Sequence, residues 1–199
     1  MSRATPVSRA VREPLQERSR ARWERVIAAG RELLESGGYD ALTISEVCRR
    51  AGATAPSIYA RVDGRAGLFR AVYEDGMRAV VATEEELFSA ADGTIAGVVT
   101  ATAGVFDRHA ALLRAVIRRA VEDPWLLAHG AASSRRLQQR IAAALPVHDR
   151  DAAASAARVV YEACAFRTMY GPRFWSDEPE TFDAFCVRLS GLASSVGKD

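Results

Sequence analysis

The sequence predicts an all-α protein, and three observations support that fold class. Apolar residues recur three or four positions apart along most of the chain, as they do on one face of a helix. The segments that carry this pattern are separated by helix-capping residues, glycines and prolines. No stretch shows a sustained alternation of apolar and polar residues with β-branched side chains, so we predict no sheet.

Length and composition limit the class of protein. The chain has 199 residues, 49% hydrophobic and 26% charged, which is ordinary for one globular domain or two small ones. The longest uncharged run, from Gly93 to Phe106, has 14 residues, fewer than the roughly 18 that a membrane span requires. The N-terminus lacks the apolar region of a secretion signal. Three cysteines without metal-binding spacing suit a reducing cytoplasm, and we predict no metal site and no cofactor.

The N-terminal part is predicted to begin with an arm and a helix. Residues 1–17 are polar and basic and contain two prolines, which is typical of a flexible arm. A helical pattern begins near Ser19 and continues until the glycine pair Gly37-Gly38 ends it.

Two short helices are predicted to follow. Thr43 and Glu46 have the spacing of a capping box, in which Thr43 caps the helix and Glu46 reaches back to the Thr43 backbone. That helix ends near Ala51-Gly52. Thr54 can cap the next helix, over about residues 55–61.

The remainder of the chain is also predicted to be helical. After the break at Asp63-Gly64, the helical segments and their expected caps are residues 65–88, residues 94–106, a segment opened by Asp107 that runs to about 122, residues 125–145 after Asp123-Pro124, a segment from Asp149 or Asp151 to Tyr170, and a last helix opened by Asp177 or Glu178.

The two short helices, the glycine turn between them and the helix before them form a helix-turn-helix pattern. In such a unit the second helix enters the major groove of DNA with its first residues against the bases. Residues 1–70 carry 13 arginines and 8 acidic residues, a net charge of +5, while the whole chain carries +2. This uneven charge favours a polyanion as the partner of the N-terminal part.

Residues 19–69 resemble the N-terminal DNA-binding domain of TetR-family transcriptional regulators. The resemblance is carried by Ile27, Gly37 to Thr43, Ile44 to Cys48, Ala51 to Thr54, Ser57 to Tyr59, and Arg65 to Phe69. It implies a DNA-binding domain over residues 18–70 and a helical ligand-binding and dimerisation domain over residues 71–199.

The resemblance also implies which residues contact DNA. Thr43 would cap its helix and contact a phosphate, and Tyr59 would place its hydroxyl on a phosphate. The start of the second helix would face the bases, and two arginines would bind the backbone. The predicted DNA-contacting residues are Thr43, Thr54, Ala55, Pro56, Ser57, Tyr59, Arg61 and Arg65.

For the C-terminal part, the resemblance implies a homodimer formed by the helices at about residues 149–170 and 178–195. The alanine-rich first helix and a stripe of Phe182, Phe185, Leu189 and Leu192 on the second would pair with their copies, although the same stripe could pack inside one chain. A set of mostly aromatic residues, a few with polar tips, are candidates either for a small-molecule pocket or for ordinary core packing. These residues are Phe106, His109, Trp125, Tyr161, Phe166, Met169 and Trp175.

The function predicted from the sequence is a ligand-responsive transcriptional regulator. It would bind an inverted-repeat operator as a homodimer, act as a repressor and leave DNA when a small molecule binds. An all-helical enzyme is the second hypothesis, but we find no phosphate-binding loop, nucleophile elbow or zinc-protease motif and predict no catalytic residues. A small-molecule-binding protein or adaptor without sequence-specific DNA binding is the third, because Ala55 and Pro56 offer few hydrogen bonds to bases.

Overall fold

The computed structural model describes residues 15–196, with side chains from residue 17 onward. Within that range the chain forms nine helices and no strand, so the predicted all-α class is confirmed. The helices are α1 Leu15–Ala41, α2 Ile44–Ala51, α3 Ala55–Tyr59, α4 Gly64–Ala90, α5 Ile95–Arg108, α6 Ala110–Ala120, α7 Pro124–Ala144, α8 Arg150–Tyr170 and α9 Phe182–Ser195. Residues 1–14 of the predicted arm lie outside the described residues, and α1 begins four residues earlier than the expected Ser19.

Helix α1 bends where the sequence predicts an end. Gly38 has φ 70° and ψ −165°, which interrupts the helix, and the backbone then turns on to Ala41. Because φ is positive there, a residue with a side chain would be strained at this position. The kink brings Leu42 into the core between α1 and α4.

The predicted cap of α2 is half right. The Glu46 N–H donates to the Thr43 Oγ1 at 3.2 Å, as in a capping box. The Glu46 carboxylate does not reach back, however, because it accepts hydrogen bonds from Arg49 and Arg50 instead. Two charged donors hold that carboxylate more strongly than one neutral backbone N–H would.

Other predicted caps divide into confirmed and wrong ones. Asp149 caps α8 by accepting from the Ala152 N–H at 2.7 Å, and Asp123 caps α7. Asp107 lies inside α5 and opens no helix. The last helix begins at Phe182 with Thr181 as its cap, so neither Asp177 nor Glu178 opens it.

The short helix α3 has five residues and ends at Tyr59, two residues earlier than expected. Thr54 precedes it but makes no side-chain capping bond. Thr54 therefore occupies the position before α3 without capping it, and its hydroxyl can bond to another partner.

Two buried clusters form the interior of the described chain. The first contains residues of the four helices α1, α2, α3 and α4, of α6, and of the ends of α5 and α7 that adjoin them. The second contains residues of α5, α7, α8 and α9. Helix α4 is continuous across the predicted domain boundary at residue 70, and it approaches α6 so closely that a Cβ on Gly76 would lie 2.6 Å from Leu112. Among the described residues no helix combines the length and the apolar character needed to span a membrane, and no group of three or more possible metal-ligating side chains occurs.

Candidate nucleic-acid interface and ligand cavity

The turn between α2 and α3 determines how α3 is presented. Gly52 has φ 60° and ψ 36°, the left-handed conformation that ends α2 and allows the sharp change of direction. Ile58 is fully buried and anchors α3 to the N-terminal core. With one side anchored, α3 exposes Thr54, Pro56 and Tyr59 to solvent.

The exposed side of α3 offers few polar groups. The Tyr59 side chain is 56% exposed, and its hydroxyl makes no hydrogen bond to any described residue. The Ser57 Oγ donates to the Thr54 carbonyl at 2.6 Å, so it keeps only acceptor capacity for another partner. Ala55 and Pro56 present apolar atoms. This arrangement suits contact with thymine methyl groups and phosphates more than a dense set of base hydrogen bonds.

The start of α2 lies beside this surface in the chain. Thr43 is half-buried, and its hydroxyl is shared between the Glu46 N–H and the Ser45 hydroxyl, 3.2 Å away. Arg49 and Arg50 hold the pKa of Glu46 at about 2, well below its usual range. The carboxylate therefore stays ionised but paired, and its charge is balanced locally.

Both predicted backbone-binding arginines also have partners inside the chain. The Arg61 guanidinium donates to the Ser19 Oγ at 2.8 Å and lies 5.2 Å from the Trp23 ring centroid. Arg65 donates to the Tyr39 carbonyl and pairs with Asp40 at 3.3 Å. Both side chains thus tie the segment after α3 to the two ends of α1.

Tyr39 is held between two guanidinium groups. Arg65 lies 4.1 Å and Arg119 4.2 Å from the Tyr39 ring centroid. The Nε atoms of both arginines are buried without a hydrogen-bond partner, and the stacked ring adds a cation–π attraction to the ion pairs that each guanidinium makes with nearby carboxylates. This arrangement, here called the Tyr39 stack, joins the end of α1, the start of α4 and the end of α6.

A cavity of about 80 Å³ lies among α4, α5, α6, α7 and α8. Its wall is mostly apolar and includes two of the predicted ligand-binding residues, Phe106 and Tyr161, whose rings meet edge-on with centroids 5.4 Å apart. The wall also includes Tyr73, Met77, Glu84, Ser133, Ser134 and Arg136.

Glu84 is the charged group buried deepest at this cavity. It is 1% exposed, and Arg136 donates to its two oxygens at 2.9 and 3.4 Å. A second guanidinium, from Arg140, lies 3.6 Å from the same carboxylate. The sequence gives no signal for this cluster, because Glu84 stands in a run of three glutamates and its partners on α7 are more than 50 residues away.

Two of the hydroxyl groups at the cavity are paired with each other. The Tyr161 hydroxyl lies 2.5 Å from the Ser134 Oγ, and Tyr73 and Ser133 also line the cavity. Burial raises the pKa of both tyrosines, so they remain neutral donors and acceptors at physiological pH.

The remaining predicted ligand-binding residues do not line this cavity. His109 faces Thr83, with Nε2 and Oγ1 2.9 Å apart, and burial together with nearby Arg31 and Arg108 lowers its pKa. The other four are dispersed: Trp125 stacks on His129, Met169 is half-buried on α8, and Phe166 stacks on the exposed Trp175 with centroids 5.4 Å apart.

Known proteins resemble this chain both in the sequence of the helix-turn-helix segment and in the overall fold. Residues 26–72 match the sequence model of a family described as bacterial regulatory proteins, tetR family. No curated protein matches the full sequence significantly.

Several solved structures share the fold over most of the chain. A transcriptional regulator from Rhodococcus sp. Rha1 has a TM-score of 0.67 at 16% identity, covering 87% of this chain and 94% of its own. A TetR-like transcriptional regulator from Rhodococcus sp. RHA1 has a TM-score of 0.65 at 18% identity, covering 87% and 93%. A transcriptional regulator from Aquifex aeolicus VF5 has a TM-score of 0.64 at 12% identity, covering 87% and 98%.

Proposed function

We propose that the chain, whose residues 26–72 match the tetR family of bacterial regulatory proteins, works as a homodimeric repressor released from its operator by a small molecule. The observation that carries this proposal is the anchored α3, which presents Pro56 and a free Tyr59 hydroxyl to solvent. Such a regulator acts on double-stranded DNA in the cytoplasm and needs no catalytic group.

The proposed DNA contacts divide by chemistry. The start of α3 enters the major groove, with Thr54, Ala55, Pro56 and Ser57 against base edges and thymine methyl groups. Thr43 and the Tyr59 hydroxyl contact phosphates. Arg61 and Arg65 bind the DNA backbone. Each guanidinium can do so because it has N–H donors beyond those used within the chain.

The proposed dimer uses the outer faces of α8 and α9. Phe185 and Leu189 from the predicted stripe are buried in the chain's own core, as the intramolecular alternative expected. Outside that core, α9 exposes Val187 and Leu192. Apolar side chains on an exposed helix face favour association with a second copy, and a two-fold dimer reads the two half-sites of an inverted repeat.

The proposed release mechanism couples the cavity to the DNA-binding unit through α6. Leu113, Val116 and Ile117 of α6 line the cavity, and Arg119 at the end of the same helix belongs to the Tyr39 stack. Ligand pockets usually measure about 300–1,000 Å³, so the present cavity must widen to admit most ligands. A widened cavity displaces α6 and disturbs the stack, and a ligand that favours that state reduces DNA affinity by population shift.

Selection from random duplex DNA with the purified, ligand-free protein tests the proposal. We expect an inverted repeat to be enriched, because one five-residue recognition helix per monomer reads few bases. Only weak, salt-sensitive and sequence-independent binding would contradict the proposal and favour the adaptor hypothesis. The Tyr59→Phe variant in the same selection separates a specific loss of contact from general background binding.

A further inference from the structure

We propose that the cavity binds a compact amphiphilic carboxylate, whose apolar body fills the cavity and whose carboxylate pairs with Arg136. This inference rests on the proposed function for its regulatory meaning. The binding site itself is argued from the charges, hydroxyls and volume of the cavity.

The charge around Glu84 is unbalanced in favour of an anion. One buried carboxylate faces two guanidinium groups, from Arg136 and Arg140, so the cluster carries a net charge of +1. One bound carboxylate would bring that charge to zero. An ammonium ligand would instead add a third positive charge beside the two arginines, and like charges repel.

Arg136 is the arginine that can reach a ligand. It lines the cavity, and its side chain is 47% exposed, whereas Arg140 is held over the Phe88 ring with its guanidinium 4.8 Å from the centroid. Two of the five N–H donors of Arg136 point at Glu84, which leaves three for another acceptor. If Arg136 turns to a ligand, Arg140 still compensates Glu84, so no buried carboxylate loses all its partners.

Neutral polar ligands have fewer partners at this site. The hydroxyls of Tyr161 and Ser134 bond to each other, so one of their two protons is already used. An uncharged amide can accept from Arg136 through its one carbonyl oxygen, whereas a carboxylate can accept through two oxygens at once and adds the attraction of opposite charges. Charge-assisted hydrogen bonds are also about twice as strong as neutral ones.

The volume and wall limit the ligand body. The cavity of about 80 Å³ is about half of an engineered apolar cavity of roughly 150 Å³ that admits benzene. Met77, a flexible apolar side chain, lies in the wall and can move to enlarge it. The body is therefore short and apolar, such as a short alkyl chain or a single ring.

The test compares three probes that share one body: phenylacetate, phenylacetamide and phenethylammonium. Their binding to the full-length protein is measured by titration calorimetry at neutral pH. We expect phenylacetate to bind at least about tenfold more tightly than the amide, because one charged hydrogen-bonded contact contributes roughly 1.5–3 kcal/mol. Tighter binding of the ammonium probe, equal binding of acid and amide, or no binding of the acid would overturn the proposal.

Two variants with a matched control locate the contact. Arg136→Gln should remove the preference for the acid over the amide, while Arg135→Gln, which changes the exposed neighbour outside the cavity, should leave it intact. Glu84→Gln frees Arg136 and should strengthen phenylacetate binding several-fold. This second variant tests the site even if Arg136→Gln fails to fold. An unchanged preference in Arg136→Gln, or weaker acid binding in a folded Glu84→Gln variant, would refute the assignment.

The outcome is separable from that of the DNA-selection experiment. Acid binding without operator enrichment would leave the cavity assignment standing and reject the proposed regulator. Operator enrichment without acid binding would retain the regulator and reject this ligand class. Release of the enriched operator by phenylacetate, and not by the amide at the same concentration, would join the two.

Discussion

At the scale of single residues, the Tyr59 hydroxyl separates DNA binding from folding. Because the hydroxyl bonds to no described residue, Tyr59→Phe should leave the melting temperature unchanged. The same change removes one hydrogen bond to a phosphate, a loss of roughly 1.5 kcal/mol, so we expect operator affinity to fall about tenfold. Fluorescence anisotropy on a labelled operator and thermal melting measure the two effects.

The matched control for this change is Tyr170→Phe. Tyr170 is 57% exposed, almost the same as Tyr59, but it lies at the end of α8, away from the helix-turn-helix unit. It should bind the operator like the unchanged protein. Equal affinities of both variants and the unchanged protein would remove Tyr59 from the DNA contacts.

Residue-level prediction succeeded where the signal is local and failed where it is not. The Thr43 cap depends on an atom three residues away, so spacing alone identified it. Phe106 and Tyr161 line the cavity, whereas the equally plausible Trp175 lies on the surface, because aromatic character does not specify burial. The pairing of Glu84 with Arg136 joins different helices and leaves no periodic trace in the sequence.

At the scale of elements, two threonines precede the two helices of the DNA-binding unit but cap them differently. Thr43 accepts from a backbone N–H, while Thr54 makes no capping bond. Thr43→Ala should therefore reduce the free energy of unfolding by about 1 kcal/mol, which lowers the melting temperature by roughly 2–4 °C in a chain of this size. Calorimetric melting of Thr43→Ala and of the unchanged protein checks this prediction.

The comparison with Thr54→Ala gives the control. That variant should melt within error of the unchanged protein, because no described hydrogen bond is lost. If Thr54→Ala proves as destabilising as Thr43→Ala, helix propensity at these positions, and not the side-chain cap, is the cause.

Helix α2 should also respond to acid through Glu46. Its pKa is about 2 in the folded protein, below the 4.5 of an unperturbed glutamate, because Arg49 and Arg50 donate to the ionised carboxylate. A lowered folded-state pKa stabilises the fold above the unfolded-state value, and this stabilisation is lost as the pH falls towards the folded-state value. Glu46→Gln should therefore melt below the unchanged protein near neutral pH, and the difference should shrink between about pH 4.5 and pH 2.

Melting curves across this pH range measure the difference directly. Asp63→Asn provides a control, since Asp63 precedes α4 without a side-chain capping bond. A difference for Glu46→Gln that stays constant down to the lowest pH would show that the carboxylate charge is not its source.

At the scale of the whole molecule, the fold class was predictable, but which face of each helix is buried was not. Helical periodicity and capping residues are local signals, so a helical segment was predicted from the sequence for each described helix. Which face turns inward depends on neighbours far away in the chain. Phe185 and Leu189 pack into the chain's own core, whereas Val187 on the same helix remains 75% exposed.

The exposed face of α9 therefore carries the last prediction. Val187→Glu places a charge where two copies would meet, and burying an unpaired carboxylate is costly, so the dimer should dissociate. Val121→Glu is the matched control, because Val121 is 85% exposed at the end of α6, away from α8 and α9. Sedimentation velocity over a range of concentrations should give a dimer for the unchanged protein and for Val121→Glu, and a monomer for Val187→Glu.

Loss of the dimer should have a defined consequence for DNA. Each monomer retains its α3 surface, so Val187→Glu should still bind one half-site weakly but lose the gain from the second half-site of an inverted repeat. A monomeric variant with undiminished affinity for the complete repeat would mean that one recognition helix suffices. A variant that remains dimeric would place the interface on another face of the molecule.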